Sequence, residues 1–374
     1  MQAAERKAGE NMTPRYDGLA RPKRPDYEAL LRTLRRQGTP ARVHHMELFH
    51  DAPIFEAIVE RFDLMRDADR ADPNYEREKM IRCRRFLGFD YVSAGLNVGF
   101  QFKNVFTEDT ADNKNPGGQR AFMEEHKGPI TSWAEFEAYP WPDPDAPGAA
   151  EGLEWWNRNL PDDMCLAYHT GHFAELLSWL MGYETLCYAL HDQRDLVQAI
   201  YDKALAFHEA EVRRCLQYDR IQLIWGSDDM GFRTGLLISP ADTREFVLSG
   251  HKRLAAMAHA AGRVYLLHSC GNLADIIDDL TDDVQIDAKH SFEDTIEDVR
   301  QAKRSYGRKI ALIGGIDVDF LCKADAQAIR RRVRDTLDVC QPGGGYCLGS
   351  GNSVVNYMPL DNYLAMVDEG WLYG

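Results

Sequence analysis

Nowhere does the chain hold the roughly 18 consecutive apolar residues that a membrane-crossing helix needs, so no span is expected. A basic excess is missing too. The formal charge is −15 at pH 7, and a surface of that sign repels nucleic acid and anionic membranes alike. The segment Met1–Tyr27 is polar and charged without an apolar core, so it does not read as a secretory leader. A flexible arm or an oligomer contact, as in a homodimer, is the expectation for residues 1–27. Disulfide-like cysteine spacing is also lacking: eight cysteines are scattered over 374 residues. That usage points to a reducing compartment, and the cytoplasm is the expected location.

What is present begins with enough apolar residues, 44% of the chain, to bury a sizeable core. Within it, Val264-Tyr-Leu-Leu-His268-Ser-Cys270-Gly271-Asn272 runs from a short apolar stretch straight into a histidine and a cysteine. Such a stretch bounded by glycine predicts a buried strand, on which positions i and i+2 share a side. Imidazole and thiolate together suit a borderline-soft cation such as zinc. A buried thiol beside a hydrogen-bonded histidine explains the pair equally well.

Strands are predicted at Ala41–Phe49, Asp90–Leu96, Met164–Thr170, Gln222–Asp229, Val264–Asn272, Val284–His290, Ile310–Asp317 and Gly345–Asn352, with helical periodicity between them. Helices are expected at Pro25–Gln37, Ile54–Phe62, Asn74–Leu87, Trp133–Tyr139, Ala174–Met181, Gln193–Leu216 and Ser239–Ala261, the last with a serine cap and a first-turn proline. Strands alternating with helices in this number predict an α/β (β/α)8 TIM barrel over residues 28–374. A doubly wound open sheet is the alternative, and the strand count is its difficulty. One long excursion, Asn97–Ile130, follows the second strand. Phe100, Phe102 and Phe106 fall there at even spacing, so an extended segment would show all three on one face. A lid, a rim hairpin and an oligomer contact each fit.

Polar residues cluster at the predicted strand ends: Glu47, His169, Asp228, Asp229, His268, Cys270, His290, Asp317 and Asn352. In a barrel those ends meet at one mouth, where active sites lie. Asp228 and Asp229 could share acid/base work, yet neighbours on a strand face opposite ways, so at most one faces the mouth. The plain alternative is that one caps a neighbouring helix or bonds backbone amides at the barrel rim. His169 and His172 straddle a helix start, where a neutral imidazole can meet substrate, ligate metal or cap. His290 is either a mouth group or a rim hydrogen-bonding group.

Gly226-Ser-Asp228-Asp229-Met-Gly, Leu237-Ile-Ser239-Pro240, His268-Ser-Cys270-Gly271-Asn272, Ile313-Gly314-Gly315-Ile316-Asp317 and Pro342 to Asn352, followed by Pro359-Leu-Asp-Asn362, occur in that order. In these residues the chain resembles the uroporphyrinogen decarboxylase superfamily, whose members include zinc-dependent methyltransferases that move methyl groups to or from corrinoids and thiols. The resemblance covers roughly Pro40 to the C-terminus. It implies a barrel, and a choice between two chemistries. True uroporphyrinogen decarboxylases grip a polycarboxylate with an arginine-rich N-terminal motif, and here His44-His45-Met-Glu47-Leu-Phe carries no arginine at its end. The methyltransferase branch is therefore the expected one. It implies His268 and Cys270 as zinc ligands, and alignment on Gly344-Gly345-Tyr346 and Pro359 puts Asn352 where the family has a third, cysteine ligand. Cys347 lies five residues earlier on an extended strand, about 16 Å deeper, and is not expected to substitute.

Three ways to complete the site follow. Glu47, His169, His172 or His290 supplies a ligand, with Glu47 the named expectation; Asn352 contributes its amide or holds substrate; or His268 and Cys270 meet substrate without metal. Asp228, Asp229, His169, His290 and Asn352 are the expected catalytic groups. The expected activity is methyl transfer or demethylation between a small methylated compound and a corrinoid on a partner protein. The chain shows no Asp-x-His-x-x-Gly cobalamin signature of its own. Decarboxylation of another carboxylated small molecule is the alternative, and non-catalytic ligand binding a further one.

Overall fold

A computed structural model describes residues 16–111, 118–124 and 126–374. Eight strands form one parallel sheet: β1 (His44–His45), β2 (Tyr91–Ser93), β3 (Cys165–Thr170), β4 (Ile221–Ser227), β5 (Val264–His268), β6 (Ala288–His290), β7 (Ala311–Ile313) and β8 (Tyr346–Leu348). Their bonded order is β1-β8-β7-β6-β5-β4-β3-β2, so from β2 to β8 every strand bonds its chain neighbour and β1 bonds β8. That is the circular order of a (β/α)8 barrel. Between β1 and β2, side chains bridge what no ladder joins among the described residues. Tyr91 Oη donates to the Glu47 carbonyl at 2.6 Å and accepts from the Glu47 N–H at 3.1 Å, while Arg42 and His44 bond the buried Asp90 at 2.5 and 2.6 Å.

Alternation sorts the side chains. Trp225 on β4 fills the bore against Tyr91, His169 and His290, with ring centres 6.2, 5.1 and 6.0 Å away. Its neighbours Ile224 and Gly226 face the helices. Several predicted strands are longer than those formed. β1 is two residues, and β6 starts only at Ala288, because Asp279–Val284 closes as a π-helical turn ending at Gln285 with φ 61°. Val284 and Ile286 still bury their side chains, but as a helix end and turn. An additional helix, Tyr183–Asp192, fills the gap before Arg194–Cys215. The helix after Ser239 runs as Pro240–Thr243, a π turn Arg244–Leu248, and Ser249–Ala260.

Within the excursion, Asn104–Glu108 pairs antiparallel with Gln119–Met123. The three phenylalanines do not share a face. Phe100 and Phe102 precede the hairpin and pack on Phe207 and Trp179, centres 4.8 and 5.2 Å apart. Phe106 stands on the hairpin, 61% exposed. The hairpin base is tied down where Asp109 accepts from Arg120 at 3.2 Å and from Asn356 at 2.9 Å. Of the expected arm, residues 1–15 lie outside the described residues. Tyr16 and Leu19 are buried and bond Asp361 and Asp368 of the last helix, Leu360–Tyr373, at 2.8 and 2.9 Å. Among the described residues no helix is long and apolar enough to cross a membrane.

Candidate metal centre

Adjacent parallel strands in register turn paired residues to the same side. The ladder pairs His268 with His290 and with Ser227, so β4, β5 and β6 end level at the mouth. His268 and His290 enter the bore together, with their Nδ1 atoms 2.7 Å apart. The other nitrogen of His268, Nε2, lies 3.2 Å from Asp229 Oδ1 and 3.6 Å from Cys270 Sγ. Asp229, His268 and Cys270 hold their ligand atoms within 4.8 Å of one another. Asp229 Oδ1 also accepts from the Cys270 N–H at 2.9 Å. Asn352, arriving from the loop after β8, donates its Nδ2 to Cys270 Sγ at 3.1 Å. Gly271 is required just beyond, since with φ 88° a Cβ there would stand 2.0 Å from the Gly231 carbonyl oxygen.

A tetrahedral zinc ion with bonds of about 2.0–2.3 Å has ligand-to-ligand edges of about 3.3–3.6 Å. The 3.2 and 3.6 Å separations from His268 Nε2 to its two partners match those edges. The donor set of carboxylate, imidazole and thiol fits a borderline-soft divalent ion with one open position. Electrostatics agree with the geometry. Burial, reinforced by the Asp229 charge, pushes the Cys270 thiol well up despite the Asn352 bond. Burial also penalises the Asp229 carboxylate, but the His268 contact and the Cys270 backbone outweigh it and bring the group down to about 2. A cation between them would satisfy the carboxylate and ionise the thiol.

Glu47 is not in this cluster, contrary to its expected role as third ligand. It lies at the end of β1, where its two oxygens accept from the Ser350 N–H at 2.8 Å and the Ser350 hydroxyl at 2.5 Å. Burial lifts its carboxyl to about 8. Asp228 and Asp229 separate as strand alternation demands: Asp228 turns outward and accepts from the N–H groups of Phe173, Ala174 and Glu175, each at 2.9 Å, and from His251 at 3.0 Å. It caps the helix Ala174–Met181 and is fully buried, so it does not meet a substrate.

His169 reaches the bore, stacked on Trp225 with Nε2 3.1 Å from Ser93 Oγ, and burial lowers it to about 3, leaving it neutral. His172 pairs with Glu175 at 2.8 Å; burial opposes its charge, but that carboxylate leaves it above its ordinary value. Asp317 caps its own helix through the Phe320 N–H at 2.9 Å. Cys347 is buried on β8, in register with His44 at the start of β1. His44 bonds Asp90 and His45 stacks on Trp371, 5.5 Å between centres.

Two features escaped the reading of the sequence. Asp229 belongs with the ligand atoms, a placement that two-residue alternation beyond Ser227 and the adjacency of β4 and β5 could have signalled. His290 braces His268, which follows only from the register of β6.

No curated protein matches the sequence. Among solved structures, the chain is similar to a methyltransferase from Methanosarcina mazei, with TM-score 0.65 and 16% identity over 91% of this chain and 97% of that one. It is also similar to a B12-independent methionine synthase from Shewanella sp. W3-18-1 in complex with selenomethionine, with TM-score 0.50 and 11% identity over 90% and 94%. Both likenesses speak to the barrel. The family profile described as uroporphyrinogen decarboxylase (URO-D) matches residues 123–370, a span running from the end of the hairpin through β8 and into the last helix. With two thirds of its length matched, the chain belongs to the uroporphyrinogen decarboxylase (URO-D) family.

Proposed function

We propose that the chain is a zinc-assisted methyltransferase, moving a methyl group between a small methylated compound and a corrinoid carried by a partner protein. The observation that carries this reading is the convergence of Asp229, His268 and Cys270 within 4.8 Å at the barrel mouth. Zinc held by these residues would act as a Lewis acid, polarising a donor heteroatom or lowering the pKa of a bound thiol.

The residues around the triad have definite tasks. If His268 Nε2 held the cation, its Nδ1–H would donate to His290 Nδ1, 2.7 Å away, a bond that would select the tautomer and orient the ring. His290 can accept there because burial, together with the nearby His268 and Lys289, holds it neutral, well below its ordinary value. Asn352 holds Cys270 by its amide. Trp225 closes the bore beneath and excludes water from that side.

A cleft of about 880 Å³ opens in front of Asn352, lined in part by Glu293, Asp317, Asp319, Phe320 and Tyr357. Its carboxylates oppose a polycarboxylate substrate, and Arg42 is engaged with Asp90 at the start of β1. Both observations favour methyl transfer over the decarboxylation in the family's name.

Metal analysis of purified protein beside His268→Ala and Cys270→Ser tests the centre. One zinc per chain, lost in both variants, is expected; metal-free protein in every preparation would sink the zinc-assisted form. Incubation with cob(I)alamin and methyl donors should yield methylcobalamin by absorbance, whereas carbon dioxide release without it would favour a carboxy-lyase.

A further inference from the structure

We propose that a second cavity, outside the barrel bore, binds a small zwitterion carrying one carboxylate and one cationic nitrogen. The cavity, about 330 Å³, lies between the segment that follows β5 and the helix Val299–Ser305. This volume is at the small end of ligand pockets. At its floor is Lys289, which points away from the bore because its neighbour His290 points in.

Lys289 is 5% exposed. Its Nζ donates to the Ser291 carbonyl at 2.5 Å and sits 4.1 Å from the Phe292 ring centre. An ammonium has three donors, and among the described residues no carboxylate lies within ion-pair distance of this one. Burial draws it down to about 8, so it remains protonated at neutral pH. Glu297 and Glu293 offset that burial only in part, from beyond ion-pair distance; a buried charge without a paired counter-charge is costly, and a ligand carboxylate would supply one.

The rest of the lining carries the opposite sign. Glu293 and Glu297 border the same cavity, and Glu297 accepts from the Tyr306 hydroxyl at 2.6 Å. A simple anion would be drawn to Lys289 and repelled by the two glutamates, and a simple cation the reverse. A molecule bearing both charges satisfies both walls. Leu273, Ile277 and Ile296 line the space between, which suits a short alkyl or N-methylated body.

The site needs no metal, so it stands or falls apart from the methyltransferase reading. Calorimetric titration of the full chain with glycine betaine, propionate and tetramethylammonium tests it. Glycine betaine should bind once per chain, at least about tenfold more tightly than either half-molecule, and equally well in His268→Ala. Lys289→Met should weaken it about tenfold or more. Ala274→Trp, at an exposed position on the rim, should do the same by blocking entry, with an unchanged far-ultraviolet circular dichroism spectrum. No binding heat from glycine betaine, equal binding of propionate or tetramethylammonium, or binding untouched by Ala274→Trp would each overturn the proposal.

Discussion

Cys270 is held by three different neighbours: His268 at 3.6 Å, Asn352 at 3.1 Å and, through its backbone, Asp229 at 2.9 Å. Replacing the Asn352 amide by a thiolate would give the cation a softer and stronger donor. Asn352→Cys is therefore expected to tighten zinc at least about tenfold, about 1.4 kcal/mol, in competition with a chromophoric chelator. Weaker binding would mean that Asn352 lies outside the coordination sphere. Glu47 offers a test of a different kind. Its folded pKa, raised by burial to about 8 from an ordinary 4.5, means that the folded chain holds a proton the unfolded chain has released between those values. By linkage this contribution is present in full below about pH 4.5 and is lost as the pH rises through about 8. Denaturation profiles should show Glu47→Gln gaining on the unaltered protein across that window; a constant difference would contradict the raised value.

At the scale of elements, the helix Ala174–Met181 depends on a carboxylate from a neighbouring strand. Asp228 satisfies three of its first N–H groups and bonds His251, and Asp228→Ala would leave them unpaired in a dry layer. A loss of about 3–5 kcal/mol is expected, read from the urea midpoint; a loss below about 1 kcal/mol would refute this structural role. The seam between β1 and β2 is the other dependence on single side chains. Tyr91→Phe removes both bonds to Glu47 and should cost about 1–3 kcal/mol. The same elements show how far the chain could be read. Each of the eight strands was visible as a strand-length stretch, most of them ending in polar residues, but the π-helical turn Asp279–Val284 was not, because Val284 and Ile286 are buried whichever way the backbone runs.

For the whole molecule, the ligand side chains sit on the rim of a sheet whose strands are already paired, so the barrel does not depend on the ion for its formation. Chelated protein should keep its far-ultraviolet spectrum, and zinc added at about 1,000 times its Kd should stabilise it by about 4 kcal/mol, seen as a rise in Tm. Collapse of the fold on chelation would instead make the metal structural. The hairpin of Asn104–Glu108 with Gln119–Met123 is thinly covered: Phe106 and Phe122 are 61% and 53% exposed. Its pairing could not be read from the spacing of the phenylalanines, because Phe100 and Phe102 lie before the hairpin and pack on Phe207 and Trp179.

By itself the sequence determined the barrel, through apolar runs of strand length alternating with helical periods. It also determined that His268 and Cys270 share one side of β5, since two-residue alternation is local. Only the tertiary structure decided which acid joins them. Glu47 and Asp229 both end strands, and nothing in their local sequence separates a carboxylate bonded to Ser350 from one 3.2 Å from His268. Register between neighbouring strands makes that choice and sets His290 behind His268, whereas the outward turn of Asp228 follows from alternation along its own strand. Those contacts join residues distant in the chain, so they come into being only when the sheet closes.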